Sequence, residues 1–565
     1  MKQGKIETGA ATQIYYDVLR LELQPPDREL PVTANPQPSL GGQRIVERRD
    51  SPVELRDLII AQDCHGSGIV PVGSSARCAD DSSRQRPSTI AGSRVNRQYR
   101  AGGGDRLVVR PVGASTGFFP SRTIRLAFPM STDTALAPGP TERFDINVDS
   151  ATFSRLVQWR EAHGALFRVL PVARKNIAWV VNAPAEVHRV LVANHRNYTK
   201  GVGFERVALM LGNGIIVSDG PRWRDQRRAM QPAFHKRVIE RLSVTMHDAN
   251  AALLSRWTNA ARSGAEIDLT RDTSAVALEV ILRCLFSADL DRLIEREGAN
   301  PFDLLVDDTA RDLALAMRFR GLGHHIVAMV RTRREQDRWP DDWLSMLARA
   351  PVGATGEPMD ERALVDEVMT LVVAGHETTA GTLNWAWWLL AGAPEARARL
   401  HAEVDALPGP PGFADLGALD YTRQVIEETL RLYPPVWLFS RKAIGEDRLG
   451  EHDIAAGSDI FLSPYLMQRD PTYWHAADAF RPERFADPGA AALKRTAWYP
   501  FSLGMRRCIG EFFSTVDMQL HLALIARELR LDRVDAVPPQ LEPHMNLRAA
   551  TSIRVRPRLR FETSR

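Results

Sequence analysis

The sequence predicts a mainly α fold with a minor β portion, organised around one long central helix. Three observations lead there. Helical periodicity dominates the middle of the chain as far as about Leu432, with clear patterns over 238–261, 275–285 and 361–390. Short apolar pieces split by Gly, Pro and Asp follow, such as "DIAAGSDIFLSPYLM". No internal repeat of solenoid or propeller type is visible.

Taken in order, the first 129 residues differ from the rest. "SSRQRPSTIAGSRVNRQYRAGGGDRLVVRPVGAS" is rich in Arg, Gly and Ser and sparse in apolar positions. Such a composition buries too little surface to offset chain entropy. Residues 1–129 are therefore expected to be a disordered leader, or upstream sequence foreign to the functional protein, and 130–565 the working domain. Met130 opens a stretch that reads as an ordinary N-terminus. Cys64, His65 and Cys78 lack the paired spacing of a zinc site. From about Phe144, "ALFRVL" and "NIAWVVNAP" read as two short strands and "AEVHRVLVAN" as a helix.

Composition sets outer bounds. At 565 residues, 44% hydrophobic and 25% charged, the chain is an ordinary globular protein. A formal charge of +4 gives no case for a nucleic-acid binder. Four scattered cysteines make no disulfide framework, so a reducing compartment is the default. No run approaches the roughly 20 apolar residues of a membrane span, and "MKQGKIETGAATQ" lacks a secretory apolar core. A soluble, cytoplasmic protein without a transmembrane anchor is expected.

The chemistry concentrates in "FSLGMRRCIG", 501–510. Gly504 and Gly510 permit a tight loop, and the next stretch, "EFFSTVDMQLHLALIARELRL", has an apolar helical face. Cys508 thus sits where a loop meets a helix N-terminus, a place that favours thiolate over thiol. A presented thiolate suits a metal ligand or a nucleophile. In "EETLRLYPP", Glu428 and Arg431 lie three apart on one helical face, and Pro434 and Pro435 end the helix. In "EVMTLVVAGHETTAGTLNWAWWLL", Gly375, Glu377, Thr378 and Thr379 interrupt an apolar helix, a local rule broken where function is expected.

The spacing Phe501-x-x-Gly504-x-Arg506-x-Cys508-x-Gly510 closely resembles the haem-binding loop of the cytochrome P-450 family. That loop often carries a third glycine where this chain has Ser502. The resemblance covers roughly 144–561 and implies the P-450 fold, with its long central helix over haem b. It makes Cys508 the axial thiolate and Phe501, Gly504, Arg506 and Gly510 its cofactor-binding loop. It makes Glu428, Arg431 and Arg484 of "FRPERF" a buried ion triad bracing that loop. Glu377 and Thr378 become the catalytic acid–alcohol pair, with Ala374 and Gly375 leaving room for oxygen. Trp223 and Arg227 of "RWRDQRR", one turn apart, match propionate-contacting positions, as do Arg441 and Arg506.

The activity so implied is a haem-thiolate monooxygenase. It inserts one atom of O2 into a lipid, terpenoid or aromatic substrate, with segments 209–216, 315–326 and 436–439 lining the pocket and Trp437, Leu438 and Phe439 making it apolar. Electrons would come from NAD(P)H through a separate ferredoxin or flavodoxin and its reductase, because no flavin domain follows, and the chain would act as a monomer. The rival readings are a haem-thiolate isomerase or peroxygenase, which usually lacks an intact acid–alcohol pair, and a non-catalytic haem sensor.

Overall fold

The computed structural model describes residues 137–174, 176–307 and 313–561. The expected 1–129 leader, with Cys64 and Cys78, lies outside the described residues. Elements used below are labelled in chain order. They begin with helix α1 (Ser150–His163), then strands β1 (Leu166–Val169), β2 (Ala178–Val181) and β3 (Tyr198–Lys200). Helices α2 (Phe204–Leu211), α3 (Gly220–Met230) and α4 (Lys236–Ser263) follow, then β4 (Ile267–Asp268) and α5 (Leu269–Phe286). The long helix α6 (Glu361–Gly392) precedes α7 (Asp420–Leu432), β5 (Phe439–Ala443) and β6 (Asp459–Leu462). The chain closes with α8 (Glu511–Glu528), β7 (Leu529–Arg533), the hairpin β8 (Leu541–Pro543) and β9 (Leu547–Ala549), and β10 (Arg554–Leu559).

Helix α6 is the axis of the fold. Asp360 caps its start by accepting from the Ala363 N–H at 2.7 Å, and Gly392 and Pro394 end it. Its residues are apolar nearly all round, and most are buried, as such a helix must be. Helix α5 runs along it and α8 packs on α4, so the two main core clusters lie at either end of this helical layer. Pro434 and Pro435 do terminate α7, which stops at Leu432.

The β portion forms a five-stranded sheet in the order β1-β2-β6-β5-β3. Only the β2–β6 pair is parallel, with Trp179 opposite Ile460. A smaller sheet, β4-β10-β7, borrows the end of the last long helical pattern. There the sequence reads as helix through Leu531, but Leu529 and Leu531 alternate inward with Arg530 out, and the chain becomes strand β7. The pattern "AEVHRVLVAN" also divides. An α-helix covers Pro184–His188, and Arg189–Ala193 widen into a π turn.

Candidate functional site

The cysteine loop is shaped by backbone constraints on both flanks. The Cys508 N–H donates to the Phe501 carbonyl at 2.9 Å, closing the loop on itself. Gly504 has φ +67°, and a Cβ there would stand 2.3 Å from the Leu191 carbonyl oxygen, so the loop rests directly on the π turn. Ser502 also lies in the left-handed region at φ 61°, which accounts for the glycine common at that position in the family the loop resembles.

The Cys508 side chain is exposed at the loop surface. The protein around it still pushes its thiol above the usual range by desolvation, opposed by the Gly510 N–H and by Arg227 and Arg507. Coordination to a metal ion would favour the thiolate further.

Beside the loop, three cations converge. Lys200, at the end of β3, is pushed well below the lysine range by burial and by the charges of Arg441 and Arg506. Burial takes Arg441 and Arg506 each down to about 10. Arg506 stacks on the Trp223 ring at 4.4 Å and pairs with Asp219. Lys200 gives its ammonium to the Ile216 carbonyl and Arg441 gives one N–H to the Ser440 carbonyl. Among the described residues neither has an ion-pair partner. Three cationic side chains share Asp219 as their one acidic partner, a donor set that two carboxylates would complete. A haem dicarboxylate fits this donor set.

The structure thus adds Lys200, which the sequence analysis missed, and gives Arg227 backbone and side-chain partners of its own. The Arg227 guanidinium donates to the Arg507 carbonyl at 2.9 Å and to Gln231 at 3.3 Å, and it lines the cavity that Cys508 borders. Residues i and i+4 share a helix face, but the Arg507 carbonyl captures the longer side chain. Trp223 enters the cluster as the platform under Arg506.

Opposite the cysteine, α6 opens along one stripe. Most of its middle is buried, but Ala374, Gly375, Glu377, Thr378 and Gly381 are only half-buried, four of them at i, i+3, i+4 and i+7 on a single face. A Cβ at Gly381 would meet nothing within 4 Å. The Thr378 hydroxyl donates to the Ala374 carbonyl at 2.8 Å, so its proton is committed while its oxygen can still accept. Glu377 Oε2 accepts from the Asn546 amide at 2.6 Å. Gly375 is half-buried too, and a Cβ there would lie 2.7 Å from Ile281 Cδ1, so its missing side chain lets α5 pack against α6.

The ion triad is fully buried. Arg431 binds Glu428 through two N–H groups at 2.7 and 2.9 Å, and Arg484 Nε donates to Glu428 at 3.0 Å. Their remaining N–H groups reach the carbonyls of Gln468, Ala477, Ala479, His475 and Ala476. These carbonyls belong to the segment that leads into the cysteine loop.

Two expected lining residues lie elsewhere. Trp437 and Leu438 are 1% and 5% exposed, part of a core cluster, while Val436 and Phe439 are the half-buried members of that segment. On the cysteine side, a cavity of about 450 Å³ is lined by Cys508, Phe501 and Trp498, with Arg227, Arg423, Lys494 and Arg507 against Glu427 and Glu511.

A cysteine at a loop–helix junction, three cationic side chains beside it and an open stripe on the central helix suit a haem-thiolate protein. The comparisons agree. A family model described as cytochrome P-450 matches residues 143–314 and 300–556. Cyclooctatin synthase of Streptomyces melanosporofaciens is 36% identical over 392 residues, spanning 65% of this chain and 83% of that protein. Cyclooctat-9-en-7-ol 5-monooxygenase from the same organism is 34% identical over 389 residues, 66% and 83% of the two chains. Pentalenene oxygenase of Streptomyces avermitilis is 32% identical over 390 residues, 66% and 85%. The crystal structure of the cytochrome P450DA heme domain superposes with a TM-score of 0.67 at 22% identity, over 76% of this chain and 98% of that one, a likeness of fold. The chain belongs to the cytochrome P-450 family and is a haem-thiolate monooxygenase. No helix among the described residues is long and apolar enough to cross a membrane.

Proposed function

We propose that this chain inserts one atom of O2 into an apolar terpenoid, taking two electrons from NAD(P)H through a separate ferredoxin or flavodoxin. Bound haem b supplies the oxygen chemistry. Cys508 is its thiolate ligand, and Lys200, Arg441 and Arg506 hold its two carboxylates. The half-open stripe on α6 carries the reading, because a buried helix exposes an acid and an alcohol only at that face. Glu377 takes protons from the solvent side, and Thr378, its own proton given to Ala374, accepts from a water and orients it. The terpenoid class is supported by relatives named for cyclooctat-9-en-7-ol and pentalenene, and by the outward Val436 and Phe439.

The redox partner docks at the cavity on the cysteine side. Four cations and two carboxylates line it, and Arg507 and Lys494 are already paired with Glu511 and Glu427. Arg224 on α3 has no ion-pair partner among the described residues and adds to the positive rim. An acidic partner is favoured, with a reduction rate that falls as salt rises.

The deciding experiment is Thr378→Ala assayed with the partner proteins on a terpenoid that shifts the spin state of the ferric protein. Haem content and substrate affinity stay near the parent, and electrons leave increasingly as hydrogen peroxide. A lower melting temperature with an unchanged product-to-peroxide ratio would instead reduce Thr378 to a back-bonded helix residue.

A further inference from the structure

We propose that Asn546 is the positioning residue for Glu377, fixing the carboxylate from the tip of the β8–β9 hairpin and linking it to the pocket wall. The inference rests on the reading of Glu377 as the proton-delivering acid. Asn546 stands 169 residues from Glu377 in sequence, in a three-residue turn between Pro543 and Leu547, which pair across the hairpin. Its amide N–H donates to Glu377 Oε2 at 2.6 Å, a short contact to an anionic acceptor.

The tip that carries Asn546 is itself anchored. The Trp437 indole N–H donates to the His544 carbonyl at 2.8 Å, and the Leu547 N–H donates to the Pro435 carbonyl at 2.8 Å. Below the tip, Arg548 holds Glu542 across the strands at 2.6 Å. The turn therefore has one side on the 435–437 segment, whose Val436 is half-buried, and its other side on the acid of α6. A substrate that packs on Val436 displaces or steadies the same backbone that aims Asn546.

The chemistry of the donor matters. An amide orients one carboxylate oxygen without bringing a charge into the site, whereas Lys or Arg there would make an ion pair. Asn546 thus orients one oxygen of the carboxylate without adding a charge of its own. The productive cycle takes substrate, O2, two protons and two electrons to hydroxylated product and water. The unproductive one takes O2, two protons and two electrons to hydrogen peroxide. Both draw the same electrons from the partner, so a misaimed acid changes only which of the two forms.

The test compares Asn546→Ala, the isosteric Asn546→Asp, Glu377→Gln and Glu377→Gln/Asn546→Ala. Each is measured for product-to-peroxide ratio, solvent deuterium isotope effect and chemical denaturation of the ferric haem protein. Asn546→Ala should lower the ratio by about tenfold, as expected for loss of a hydrogen bond to a charged group. Asn546→Asp, with a second carboxylate against Glu377, should lower it at least as far. Substrate-induced spin shifts should stay within about twofold, since the lost contact is to the protein. In the Glu377→Gln background the alanine change should do almost nothing, and the denaturation cycle should be non-additive. If Asn546→Ala and Asn546→Asp keep the parent ratio and isotope effect while Glu377→Gln alters both, Asn546 is a structural tether and this inference fails alone. If Glu377→Gln itself leaves both unchanged, the role of the acid fails first and takes this inference with it.

Discussion

Two buried arginines, Arg431 in the last turn of α7 and Arg441 on β5, are treated in opposite ways. Arg431 is fully buried and makes five hydrogen bonds, two to Glu428 and three to backbone carbonyls. Arg441 is 6% exposed and makes one, to its neighbour's carbonyl, with Lys200 and Arg506 as like-charged company. Buried polar groups are hydrogen-bonded in nearly every fold, so a saturated guanidinium reads as architecture and a sparsely bonded one needs an explanation. The first cluster ties the chain that leads to Cys508. The second is the one proposed to hold the cofactor's carboxylates.

The largest effect should come from breaking the saturated cluster. Glu428→Ala leaves two buried guanidiniums without their counter-charge, at a cost of about 3–5 kcal/mol. The variant should accumulate poorly and without haem. A variant that melts within a few degrees of the parent and keeps its haem would show that the triad is dispensable.

An intermediate case sharpens the contrast. Glu367 on α6 is fully buried, accepts from the Ile215 N–H at 2.9 Å through one oxygen, and has no partner on the other. Burial, chiefly, raises its carboxyl to about 7. The folded protein therefore binds this proton more tightly than the unfolded chain, whose value is 4.5. The stability it contributes is full below pH 4.5 and is lost as pH rises through about 7. Asp517 on α8, also raised to about 7, acts in the same direction. Glu367→Gln should flatten the fall in melting temperature between pH 5 and 8, and an unaltered profile would mean that the buried acid is not protonated there.

The smallest effect tests the loop between the two clusters. Ser502 holds a positive φ, and its buried hydroxyl has no hydrogen-bond partner. Ser502→Gly should stabilise the protein by about 1 kcal/mol through relief of the left-handed backbone, read as a modest rise in melting temperature. A fall would show that the serine side chain contributes packing that its geometry does not reveal.

These contrasts also separate what the sequence could disclose from what it could not. Cys508 and its glycines, and Glu428 with Arg431, were legible because they interact within ten residues or within one helical turn. Lys200 was not, since nothing near "NYTKG" signals that β5 brings Arg441 beside it. Asn546 was hidden for the same reason. Gly375 showed its break in helix propensity but not its cause, because the Ile281 side chain that fills the space comes from another helix. Arg227 shared the predicted face with Trp223 and donates to a carbonyl 280 residues away.

The central claim is that the second cluster is built for a dianion. Lys200→Met, measured for stability with and without haem, tests it most directly. Removing one of three mutually repelling cations should raise the melting temperature of the haem-free protein and lower haem affinity, so the two forms respond with opposite sign. A variant whose haem-free and haem-bound forms both lose stability, with haem affinity unchanged, would contradict the account and make Lys200 a structural residue like Arg431.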